Sequence, residues 1–202
     1  MNSHRLIVPT LTLCVLAACT GCVHTIKISY DPGPPAAPTL PCTVALSLSK
    51  EFTGCQYTTA ASAFTDGIQA PFGPTMQKYA TIVARSVFGD VRVIEGQSAP
   101  SEAKLLLIPR VTDLNLRAIS PGSGLTASGS LGVHWDFNNP QTGQTLFSMP
   151  VSCESSYRAG FFGSKSPEHI LPMVAADLMT NLTSKTIQRF NASKELQRLS
   201  GH

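Results

Sequence analysis

Thiols give this chain its widest choice of chemistry, because cysteines stand at Cys14, Cys19, Cys22, Cys42, Cys55 and Cys153. A thiol can carry a lipid, pair as a disulfide or hold a metal, and spacing separates these uses. Beyond residue 22 no two cysteines have the C-x2–4-C spacing of a zinc site, and the five histidines, His4, His24, His134, His169 and His202, never fall at H-x3–5-H. No metal ligand set is expected. Cys42 and Cys55 flank what reads as a first strand and its return, and an oxidising compartment joins such pairs. They are the expected disulfide; the alternative is that each cysteine is a small buried hydrophobe.

Cys19 stands in a different setting. Met1–Arg5 supplies one positive charge and Leu6–Ala18 an apolar run, which together have the layout of a secretory signal. Thirteen residues fall short of the roughly 20 needed to cross a bilayer core. Leu16-Ala17-Ala18-Cys19 resembles the bacterial lipobox at all four positions. That resemblance implies a diacylglycerol on the Cys19 thiol, removal of residues 1–18 and acylation of the new N-terminus. Several acyl chains make a lasting anchor, since each buried methylene adds about 0.8 kcal/mol. Cys14 follows Leu13 and lacks the small residue the cut requires. Cys22 follows Thr20-Gly21, but Cys19 then occupies the place of a branched aliphatic residue. A plain secretory signal or a buried N-terminal helix are the alternatives. In Gram-negative lipoproteins an Asp after the anchor retains the protein in the inner membrane; Thr20 implies the outer one, facing the periplasm.

Nucleophile and phosphate motifs are fragmentary. Ser47–Lys50 and Ser101–Lys104 match the S-x-x-K of penicillin-binding enzymes, but the companion S-D-N and K-T-G are missing. Ser47–Lys50 also falls in an expected strand, where that spacing puts the two side chains on opposite faces. Gly160 to Ser166 is glycine-rich but has Ser164 between the glycine and lysine of a phosphate-binding loop. No cofactor and no catalytic residue are expected.

Composition narrows the class further. The chain is 43% hydrophobic and 13% charged, apolar enough for one packed domain. Its formal charge of +3 falls to +2 when Arg5 leaves with the signal. Basic residues are scattered apart from the Lys185–Arg198 tail, which argues against a nucleic-acid surface. Residues Tyr30–Pro41 carry five prolines and read as a semi-rigid spacer. The expected organisation is a signal peptide at 1–18, an anchor and spacer at 19–41 and a single domain at 42–202.

Hydrophobic periodicity supplies the elements. Val44, Leu46 and Leu48 alternate as a strand, and Met76, Tyr79, Ala80, Val83 and Val87 recur at helical spacing. Strands follow at Val91–Val93, Lys104–Leu116, Leu125–Phe137 and Gln144–Tyr157, with Asn138–Gly143 a hairpin loop. Pro109 predicts an edge position or a bulge. Ser166-Pro167-Glu168 opens a last helix through Leu171, Val174, Leu178 and Leu182. This order predicts an α+β domain of two layers, a mostly antiparallel sheet with two helices on one face. The layout resembles that of small periplasmic accessory lipoproteins, including those of lipopolysaccharide assembly, and implies a non-catalytic role in envelope assembly or transport with a protein partner. A lipid-anchored hydrolase of cell-wall or lipid substrates is the alternative. Between Gly160 and Gly163, the adjacent Phe161 and Phe162 are candidates for partner binding, or for plugging the core beneath the helix.

Overall fold

The computed structural model describes residues 23–59, 67–96, 99–119, 124–159 and 166–201. Its larger sheet has the order β5-β2-β6-β7-β8, formed by Phe88–Ile94, Leu40–Ser47, Leu105–Ile119, Leu125–Asn138 and Thr145–Ala159. A smaller sheet, β1-β4-β3, joins Val23–Thr25, Gly67–Pro71 and Gln56–Thr59. The short helix α1 (Lys50–Thr53) follows β2, α2 (Gly73–Val87) precedes β5, and the long α3 (Pro167–Ala192) is followed by α4 (Lys194–Ser200). Helices α2 and α3 pack on one face of the larger sheet, so the protein is an α+β fold as its element order predicts.

The long ladders β6-β7 and β7-β8 are antiparallel, whereas β2 lies parallel to both of its neighbours. That central position buries Val44, Ala45 and Leu46 alike. Ala45 faces away from the helices into a small cluster with Ala103 and Leu106. Parallel strands covered on both faces carry apolar runs in place of alternation.

Strand β7 sends Ala127, Leu131, Val133, Trp135 and Phe137 into the main core, which Phe190 of α3 caps by packing edge-on against both Trp135 and Phe137. The buried polar groups in this core are chained together. Trp135 Nε1 donates to the Tyr79 hydroxyl (3.1 Å), Tyr79 donates to Thr186 Oγ1 (2.8 Å), and Thr186 donates to the Leu182 carbonyl (2.7 Å). Every proton in the chain has an acceptor, which lets hydroxyls sit in the core at little cost.

The proline-rich segment is docked on the domain, which corrects the expectation of a separate spacer. Ile26 and Tyr30 belong to the main core. The Tyr30 hydroxyl donates to Thr183 (2.5 Å), whose own proton goes to the Met179 carbonyl. Further along, the Ala36 N–H reaches Ser86 Oγ on α2 and the Thr39 hydroxyl reaches Asn191 Oδ1 on α3. At the start, His24 Nδ1 lies 3.1 Å from Glu168. Residues 24–39 therefore run beside α3 from its first turn to its last. Among the described residues, strand pairing is already present at Val23–Thr25, well ahead of the expected boundary at residue 42.

The free edge of β8 is guarded. Lys185 Nζ donates to the Ser152 carbonyl and Arg189 to that of Pro150, so cations from α3 occupy acceptors that a second strand would need.

Candidate functional site

One switch of alternation shapes the face of the sheet that the helices leave open. On β6, Leu105 and Leu107 are buried at odd positions, but Leu114 and Leu116 face the core at even ones. The pairing shifts between Val111 and Asp113, so Thr112 is the extra residue of a β-bulge. Without that residue, Asn115 and Arg117 would point into the core. The strand opposite makes room with Gly132, where an added Cβ would lie 2.8 Å from Thr112 Oγ1.

Beyond the bulge, directly opposed residues place Asn115 and Arg117 of β6 beside Ser130 and Ser128 of β7, and these beside Glu154 and Ser156 of β8. Together they line an open concavity of about 350 Å³. Its wall offers hydroxyls, an amide, a guanidinium and a carboxylate, a set that donates and accepts hydrogen bonds without committing to either sign of charge. Behind it, Gly129 admits the long helix: an added Cβ would lie 2.8 Å from side-chain carbons of both Leu116 and Leu178.

Before the bulge the same face carries a second polar group. Asp136 is 7% exposed and accepts from Arg110 and from the Ser148 hydroxyl (2.6 Å), with His134 Nε2 3.2 Å from its Oδ1. Serine, aspartate and histidine are the residue types of a hydrolase, but here they stand in another order. The carboxylate lies between the other two and takes the serine proton itself, whereas an activated serine needs the imidazole as its base. The cluster holds β6, β7 and β8 in register. The two-residue spacing His134-x-Asp136 on a strand puts both side chains on one face and is the sequence signal that joins them.

The residues singled out from sequence are scattered. Ser47 donates its hydroxyl to the Gly96 carbonyl (2.6 Å) at the end of β2, and Lys50 opens α1 in place of continuing the strand. Cys42 and Cys55 are unbonded, which corrects the expected disulfide. Cys42 lies near the start of β2, whose residue Leu40 pairs with Phe88 just after α2, while the Cys55 carbonyl accepts from Gly73 N at the first residue of α2. The 15-residue helix thus separates them by about 20 Å at 1.5 Å per residue, against the roughly 7 Å limit for bridged Cα atoms. Burial pushes the Cys55 and Cys153 thiols up to about 11 and raises Cys42 as well. Such thiols stay protonated and inert. Cys19, Cys22, Phe161 and Phe162 lie outside the described residues.

No protein-family model matches the chain, and no curated protein matches it. Solved structures that it is similar to include a neuraminyllactose-binding hemagglutinin homolog from Helicobacter pylori, at 11% identity over 87% of this chain and 98% of that one, with a TM-score of 0.45. A minor lipoprotein from Acinetobacter baumannii is 12% identical over 77% of this chain and 94% of its own, with a TM-score of 0.44. Uncharacterized lipoprotein B from Nitrosomonas europaea is 6% identical over 85% and 97%, with a TM-score of 0.43.

The strand tips complete the geometry. The end of β6, the start of β7, the end of β8 and the first turn of α3 meet at one end of the molecule, since Ile119 pairs with Thr126 and Leu125 with Ala159. Through His24 and Glu168, β1 belongs to the same end. Among the described residues no helix is long and apolar enough to cross a membrane.

Proposed function

We propose that this chain is a lipid-anchored lipoprotein of the bacterial envelope, held on the periplasmic side of the outer membrane, with a non-catalytic accessory role in envelope assembly or transport. The observation that carries the proposal is Leu16-Ala17-Ala18-Cys19 at the end of an apolar leader, with Cys19 four residues ahead of β1. A signal cut just ahead of Cys19 leaves the domain tethered within four residues of β1. The polar concavity of Asn115, Arg117, Ser128, Ser130, Glu154 and Ser156 supports a binding role for that domain, because its groups suit recognition of a polar surface on a partner protein.

Replacing Cys19 tests this reading. In cells fed labelled palmitate, the unaltered protein should take up label and sediment with membranes, and Cys19→Ser should do neither. A Cys19→Ser protein that still carries label and stays with membranes would overturn the anchor. Turnover of cell-wall or lipid ester substrates that disappears in Ser148→Ala would establish the hydrolase instead.

A further inference from the structure

We infer that the strand-tip end of the domain rests against the membrane that holds the anchor, with the long strands standing away from the bilayer. The inference rests on the acylation of Cys19 proposed above and goes on to say which surface meets lipid.

Reach is the first argument. Cys19 and Val23 are four residues apart, and a fully extended chain spans at most about 14 Å over that distance. Acylation at Cys22 would shorten it further. The tether cannot spread into the proline-rich segment, because Ile26 is buried and bonded through its N–H to Gln69, and Tyr30 is locked to Thr183. Val23 is therefore the place where the fold is held, and β1 lies beside the first turn of α3. The opposite end, with the Asn138–Gly143 hairpin, is farther by about the length of α3, 26 residues or roughly 39 Å.

Surface chemistry agrees with reach. Of the five large hydrophobic residues that are exposed among the described residues, Val23, Ile119 and Met173 belong to this end, with Met173 in the second turn of α3. Arg117 and Arg158 stand within two residues of the ends of β6 and β8. Guanidinium groups beside scattered apolar side chains suit an anionic headgroup layer. The concavity runs from Arg117, Ser128 and Ser156, two or three residues from the tips, back to Asn115, Ser130 and Glu154, about four residues or some 13 Å from them. Its partner must approach along the membrane surface.

Energy transfer from the acylated full-length protein tests the orientation. The protein is reconstituted with phosphatidylethanolamine–phosphatidylglycerol vesicles that carry a headgroup acceptor dye. A fluorescent non-canonical residue replaces Ile119 at the tips or Gln141 in the far hairpin. Flotation with the vesicles comes first; protein that stays at the bottom overturns the anchoring reading itself. In floating protein, transfer from position 119 should exceed that from 141 several-fold. A long Gly/Ser insertion between Cys22 and Val23 should preserve flotation and shrink the difference. Equal transfer from the two positions in floating protein, or a difference that survives the insertion unchanged, would overturn the orientation set by the tether.

Discussion

Tyr79 joins the two helices to the sheet through a hydroxyl that both accepts and donates. Its removal leaves the Trp135 indole N–H buried with no acceptor. Tyr79→Phe should cost about 1–3 kcal/mol, visible in calorimetry as a fall in Tm of about 2–4 °C for each kcal/mol. An unchanged Tm would mean that the indole had found another acceptor. The buried thiols make a different prediction. Cys55 and Cys153 ionise at about 11 in the fold and at an ordinary 9.0 when exposed. A raised folded value means that their stabilisation is complete below pH 9.0 and is lost as the pH climbs toward 11. Tyr79, raised by burial from 10.0, adds to the loss in the same direction. Tm should therefore drop across that window, and less steeply in Cys153→Ala; a parallel slope in the variant would remove this thiol from the account.

At the scale of elements, the bulge at Thr112 decides which side chains the open face presents. Gly132→Val puts branched carbons against Thr112 and should destabilise by about 1–3 kcal/mol. Denaturant unfolding would show a lower midpoint with the same slope; an unchanged midpoint would mean that the bulge tolerates a side chain opposite it. Much at this level was legible in the sequence. The helical spacing from Met76 to Val87, the Ser166-Pro167-Glu168 start and the Asn139-centred hairpin turn all describe local geometry, which local residues determine. Pro109 is buried on an interior strand, two residues past the last β2–β6 pair at Leu107, and the bulge falls three residues later. The shift from Val111 to Leu114 in the buried series marks that bulge in the sequence. The parallel pairing of β2 was not legible, because register between distant strands depends on packing that no local pattern encodes.

For the whole molecule, the decisive feature is how little chain separates the proposed anchor at Cys19 from β1. Prolines 32, 34, 35 and 38 suggest a free spacer by composition, but Tyr30 and Leu40 bury the two ends of that stretch and fasten it beside α3. Composition reports the extended backbone; only tertiary contacts report where it lies. The candidate site was similarly hidden, since Asn115, Ser128 and Glu154 come from three strands and meet only through the register. The proposed location of this domain depends on the Cys19 sulfur. Intact-mass analysis of the protein extracted from its native envelope measures that sulfur directly. The account predicts a chain that starts at residue 19 and carries a diacylglyceryl thioether with an acylated amine. A chain that retains residues 1–18, or one with a free thiol at position 19, would contradict it.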